Sequence, residues 1–207
     1  MSTFERPWFL CGGWAVDSWL GRQTRDHGDL DIVVFHEDQR TLHKHLAGWN
    51  VVADAPNDTT PAAERPPWDG QPMDPDHRWR WPETPPHIHA RPNAEQAAEP
   101  GAPRELEVMI IERSGPDWLL YVQPRLARPV SLCVRPSIGG IAAVVPEVLM
   151  LYKATAYWGD PKYPRSHDES DFFALAAMLG EAERAWLAEA TSQFVPNHPW
   201  LPRLTAE

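Results

Sequence analysis

The first 53 residues alternate short apolar runs with segments of helical period. Trp8-Phe-Leu-Cys11 reads as a brief buried strand that stops at Gly12-Gly13, where the backbone turns freely. Trp14, Ala15, Ser18 and Trp19 then recur at helical spacing, Leu20 extends that face, and Gly21 is a natural helix end. A polar loop over 22–29 leads into Leu30-Asp-Ile-Val-Val-Phe35, whose β-branched content is that of a central strand. Residues 37–46 read as a second helix with Leu42, His45 and Leu46 facing inward, and residues 49–53 as a third strand.

The pattern dissolves between Ala55 and Pro103, which hold more than half of the chain's 23 prolines. Proline removes a donor and fixes φ, so the only regular element expected here is a short strand near His87-Ile-His-Ala90. A loop this long is disordered or functional, and its Trp68, Trp79 and Trp81 point to packing or stacking on something. Regularity resumes over 104–112, where alternation sets Glu105, Glu107 and Met109 on one face and Leu106, Val108 and Ile110 on the other. Residues 118–122 and 130–134 read as further strands and 138–141 as a hinge. Helices follow over 146–158, opened by a proline, then 167–179 and, after Gly180, 181–194. The order predicts an α/β (α+β) chain. One lobe over 1–140 is built on a mixed central sheet, with a Pro-rich insert over 55–103, and a small helical lobe follows over 141–207.

Composition narrows the classes. With 43% hydrophobic and 23% charged residues the chain is globular, and no apolar run approaches the roughly 20 residues of a membrane span. The formal net charge of -10 argues against a nucleic-acid binder, which neutralises phosphates with clustered Lys and Arg, and favours a cationic partner. Met1-Ser-Thr-Phe-Glu-Arg-Pro has no basic segment followed by an apolar core, so a cytoplasmic location is expected. Cys11 and Cys133 sit in apolar settings and read as buried thiols.

The pair Asp29 and Asp31 stands at the mouth of the strand that begins at Leu30. Period two sends both side chains to one side, where they repel unless a cation lies between them. Magnesium suits such a pair, because it takes a few hard carboxylate oxygens together with substrate phosphates. Glu107 supplies a third acid from another strand, with Glu105 as its substitute on the same face. Beside a glycine turn at a helix N-terminus, three acids make a place for a metal-bound triphosphate. The alternative is that Asp29 caps a turn, Asp31 blunts a strand edge and the glutamates face water. The spacings of His43-Lys-His45 and His87-Ile-His89 suit zinc but lack a third ligand nearby. Neither a G-x-x-x-x-G-K-[ST] loop nor a G-x-S-x-G elbow occurs.

Read together, Gly12-Gly-Trp-Ala-Val-Asp17, Leu20-Gly-Arg-Gln-Thr-Arg25, His27-Gly-Asp-Leu-Asp31 and the later Glu105-Leu-Glu-Val108 resemble the DNA polymerase beta superfamily of nucleotidyltransferases. More narrowly they resemble the aminoglycoside 2''-adenylyltransferase and lincosamide nucleotidyltransferase type, and the likeness extends to Leu151-Tyr-Lys-Ala154 and Asp168-Glu-Ser-Asp-Phe172. The resemblance implies that Asp29 and Asp31 hold Mg2+ and that Gly12 and Gly13 admit the triphosphate of ATP or another nucleoside triphosphate. Gly13 stands where many members have serine, which leaves that contact to backbone N–H groups. Glu107 matches the third acid, as metal ligand, as acceptor of the hydroxyl proton, or as both. Lys153 either reaches the triphosphate or pairs with Asp168 and Asp171. Arg22 and Arg25 meet phosphate or water, and His27 lies beside the acids.

The expected reaction is magnesium-dependent transfer of a nucleoside monophosphate, AMP from ATP, to a hydroxyl of a small molecule, an aminoglycoside-like antibiotic of cationic aminosugar type, with release of pyrophosphate, by a monomer or homodimer. Two other readings stand beside it: an antitoxin-like enzyme that adenylylates a partner protein, and a noncatalytic nucleotide-binding module.

Overall fold

Trp8–Leu10 forms β1 and runs into helix α1, Gly12–Leu20, after which the chain returns antiparallel to β1 as β2, Leu30–Phe35. The computed structural model describes residues 1–54, 64–73, 86–98, 104–121, 125–155 and 165–205. A 3-10 turn over His36–Asp38 opens α2, Gln39–His45, and β3 follows over Asn50–Ala53. The described part of the Pro-rich insert contains β4, His87–Arg91, as expected, and a single helical turn, α3, Ala94–Ala97. Trp79 and Trp81 lie outside the described residues, whereas Trp68 is buried.

The next strands are β5 (Leu106–Ile111), β6 (Arg113–Ser114), β7 (Asp117–Tyr121) and β8 (Leu126–Pro129). After the single turn α4 (Val130–Cys133) come β9 (Val134–Pro136) and β10 (Ala142–Val144). Seven of these strands form one mixed sheet in the order β3-β4-β5-β2-β1-β10-β9, parallel at β2/β5 and at β1/β10. A small antiparallel sheet of β6, β7 and β8 stands apart from it. Helices α5 (Pro146–Thr155), α6 (Ser166–Ala176), α7 (Glu181–Phe194) and the turn α8 (Leu201–Leu204) complete the described chain.

β2 shows why the sheet lies at the centre. Its alternate residues feed two cores: Val33 and Phe35 pack among residues of α1, α5, α6 and α7, whereas Ile32 and Val34 pack with Leu42, Trp68, Val108 and Ile110. All four side chains are almost wholly buried, each contributing roughly 1.5 to 3 kcal/mol. None of the described helices is long and apolar enough to cross a membrane.

Three expectations require correction. Residues 130–133 are one helical turn and not a strand, because Val130 and Cys133, three apart, turn inward while Ser131 and Leu132 are exposed. The Ile138-Gly-Gly-Ile hinge is the turn of a β9–β10 hairpin, with Gly140 at φ 77 donating its N–H to the Ser137 carbonyl at 2.9 Å. The large sheet therefore continues through Val144, into residues that the sequence reading placed with the helices. In α1 the buried face is Ala15, Val16 and Trp19, together with the acid Asp17, while Trp14 and Ser18 are half-buried.

Candidate active site

The first turn of α1 begins at the end of β1, with Cys11 N–H held by the Asp31 carbonyl at 3.0 Å. Gly12 adopts φ 58, and a Cβ there would stand 1.7 Å from Oδ2 of Asp31. No larger residue fits this turn with Asp31 in place. Cys11, at the N-cap, makes no side-chain capping bond, so side-chain caps leave the first-turn N–H groups of α1 to other acceptors. One such acceptor is the Asp31 carboxylate, which takes the Gly13 N–H.

Parallel pairing of β2 with β5 sets Asp31 opposite Glu107. Carboxylate oxygens of Asp29, Asp31 and Glu107 then all lie within 4.8 Å of one another. Burial, then the charges of Glu107 and Asp29, push the Asp31 carboxyl up to about 7 against the opposing pull of Lys153. Burial likewise raises Glu107, and Asp29 and Glu105 add to the effect while His89 opposes it. Buried carboxylates that repel one another in this way are the hard oxygen ligands that a divalent cation takes.

Glu105 does not join this cluster. His89 Nδ1 contacts it at 2.9 Å and Arg91 donates to both of its oxygens, so the substitute acid is already engaged. His87 also lines the cleft, with Nδ1 3.7 Å from Glu107, and burial lowers its pKa to about 4. His43 contacts the Trp68 carbonyl and His45 packs on Phe4, so the two histidine pairs gather no zinc ligand set among the described residues.

The cleft encloses about 400 Å³ and is lined by cations as well as by the acids. Lys153 of α5 lies 2.9 Å from both Asp168 and Asp171 of α6, which is the pairing that the sequence left open, and it lines the cleft as well. Arg165 donates to Asp168 at 2.7 Å. The Asp168 carboxyl falls below its ordinary value because Arg165 and Lys153 outweigh its burial. Arg25 lines the cleft and approaches Asp171 at 3.9 Å, whereas Arg22 is exposed and does not line it. Tyr152, Arg165 and His167, which the sequence did not single out as site residues, also line the cleft, as does His87, which it offered only as half of a zinc-spaced pair. Carboxylates and cations lining one cleft, beside a helix N-terminus, suit a polyphosphate carried with a metal ion.

Residues 1–61 match a family model described as aminoglycoside-2''-adenylyltransferase. The match takes in the glycine turn, α1, Asp29 and Asp31, and it ends before Glu107. The chain is similar to the solution structure of the antibiotic-resistance factor ANT(2'')-Ia, at TM-score 0.51 and 17% identity, covering 92% of this chain and 84% of that one. It is also similar to the crystal structure of ANT(2")-Ia in complex with adenylyl-2"-tobramycin, at TM-score 0.50 and 17% identity, covering 91% and 89%. These likenesses show a nucleotidyltransferase fold. Among curated proteins none matches the chain.

Proposed function

We propose that this chain is a magnesium-dependent nucleotidyltransferase that moves AMP from ATP to a hydroxyl of a cationic aminosugar, with release of pyrophosphate. The observation that carries the reading is the meeting of Asp29, Asp31 and Glu107 beside the N-terminus of α1. The donor set fits Mg2+: three carboxylates gathered closely, with burial first and then the charges of Glu107 and Asp29 raising Asp31 to about 7. Asp29 and Asp31, with Glu107, would hold the ion. When bound, it would neutralise charge on the triphosphate and on the departing oxygen.

The remaining work falls to the chain. Gly12 and Gly13 keep the first turn of α1 bare, so backbone N–H groups approach the phosphates. Arg25 and Lys153 supply positive charge in the same cleft. The acceptor oxygen attacks the α-phosphorus in line, the bond from that phosphorus to the bridging oxygen breaks, and pyrophosphate leaves. Glu107 would take the hydroxyl proton. The family model matched by residues 1–61 and the net charge of -10 support an aminosugar acceptor. Buried free thiols at Cys11 and Cys133 suit the reducing cytoplasm, where ATP is available.

The test is pyrophosphate release from ATP and Mg2+ with a panel of aminoglycosides and lincosamides. Release that depends on an aminoglycoside supports the proposal. Label from ATP on a partner protein, with no antibiotic-dependent release, would replace the acceptor and keep the chemistry.

A further inference from the structure

Asp17 lies in the middle of α1 with its side chain only 4% exposed, in a place where an apolar residue would serve packing better. Its hydrogen bonds go to the loop that ends in Asp29. Oδ1 accepts from the Thr24 N–H at 3.0 Å and from the Thr24 hydroxyl at 2.5 Å, and Oδ2 meets Nε2 of His27 at 2.6 Å. Those bonds outweigh burial and hold the carboxyl below its ordinary value, so Asp17 is ionised. An ionised carboxylate only accepts, so Nε2 of His27 is the donor and the ring orientation is fixed. The imidazole also packs on Trp14, with ring centroids 4.7 Å apart, and its side chain is 3% exposed.

The other nitrogen of that ring faces the glycine turn. A Cβ on Gly13 would lie 2.3 Å from Nδ1 of His27 and 2.6 Å from Nη2 of Arg25. Ring and guanidinium therefore fill the space that a side chain at position 13 would need. Arg25 can swing aside, being the far end of a flexible chain, whereas the ring is clamped by Asp17 and Trp14. Around the guanidinium, the Asp26 carbonyl lies 3.3 Å from Nη1 and Asp171 lies 3.9 Å from Nη2.

We propose that His27 is a positioning residue for nucleotide binding: clamped by Asp17, it backs the Gly12-Gly13 turn and keeps Arg25 against the cleft as a side-chain contact for the triphosphate. This rests on the nucleotidyltransferase reading above and adds how the bare turn keeps its shape. The pair ties α1 to the loop into Asp29, with the ring and the Arg25 guanidinium both against Gly13.

The experiment is calorimetric titration of a nonhydrolysable ATP analogue with Mg2+ into the full chain, with thermal unfolding measured in parallel. His27→Ala is expected to weaken the analogue about tenfold and to raise KM for ATP more than it lowers kcat. Gly13→Ala alone is expected to weaken binding by a similar factor, because its Cβ meets the ring. In the His27→Ala background it should add little, a non-additivity expected only of groups in contact. If His27→Ala does not fold, Gly13→Ala carries the test, and unchanged affinity there overturns the proposal. Unchanged affinity in a folded His27→Ala protein, or strictly additive losses, would overturn this role alone. If the unsubstituted protein binds no nucleotide, both this role and the proposed function fall.

Discussion

Replacing Asp31 with Asn is expected to stabilise the metal-free protein at alkaline pH while abolishing transfer. Asn keeps the shape and an acceptor for the Gly13 N–H, but removes one of the three clustered charges. The Asp31 carboxyl titrates at about 7 in the fold against an ordinary 3.8, owing to burial and to Glu107 and Asp29. Because the folded pKa is the higher one, the folded state binds this proton more tightly than the unfolded chain. The penalty on folding is therefore absent below about pH 4, grows as pH rises through the interval, and is complete above about pH 7. At 1.36 kcal/mol per unit, the interval is worth roughly 4 kcal/mol. For a chain of this length each kcal/mol moves Tm by about 2 to 4 °C. In EDTA at pH 8, Asp31→Asn should melt about 8 to 16 °C above the unsubstituted protein, and near pH 4 the two curves should converge. Mg2+ should raise Tm of the unsubstituted protein and narrow the gap. Circular dichroism melts across pH decide the matter: an equal or lower Tm for Asp31→Asn at pH 8 refutes the reasoning.

Other substitutions probe separate parts of the structure. Gly12→Ala places a Cβ 1.7 Å from Oδ2 of Asp31 at φ 58, so it should cost about 2 to 4 kcal/mol in chemical denaturation and displace the acid needed for activity. Lys153→Met leaves Asp168 and Asp171 short of a cation, so ATP should bind more weakly and Tm should fall, both measurable on one preparation. Glu147→Ala strands Arg128, its partner at 2.9 Å in a site where the carboxylate is 2% exposed. Urea unfolding should register a loss of about 3 to 5 kcal/mol, with nucleotide affinity per folded molecule unchanged.

The local half of the site was legible because its signals are local. Gly12-Gly13 and the β-branched run of β2 fix a turn and a buried strand by short-range sterics, and period two alone sends Asp29 and Asp31 the same way. That Glu107 meets them depends on the β2/β5 register, a tertiary pairing across more than seventy residues. Alternation set Glu105 and Glu107 on one face, with Glu107 taken as the third acid and Glu105 as its substitute. Arg91 and His89, which engage Glu105, decide between them only in the fold. Val130-Ser-Leu-Cys133 satisfies either period over four residues, and its inward i, i+3 pair emerges only against neighbouring strands. Asp17 in a helix reads as a solvent-facing acid, and nothing nearby in sequence announces its buried bond to His27.

The most direct measurement is quantitative: [α-32P]ATP, Mg2+ and an aminoglycoside incubated with the unsubstituted chain and with Asp29→Asn, with labelled antibiotic counted and the unlabelled pyrophosphate assayed enzymatically on the same sample. Equimolar labelled antibiotic and pyrophosphate are expected from the unsubstituted chain, vanishing in EDTA and in a folded Asp29→Asn protein. Transfer that persists in EDTA, or at an undiminished rate in Asp29→Asn, would contradict the role given to the three acids.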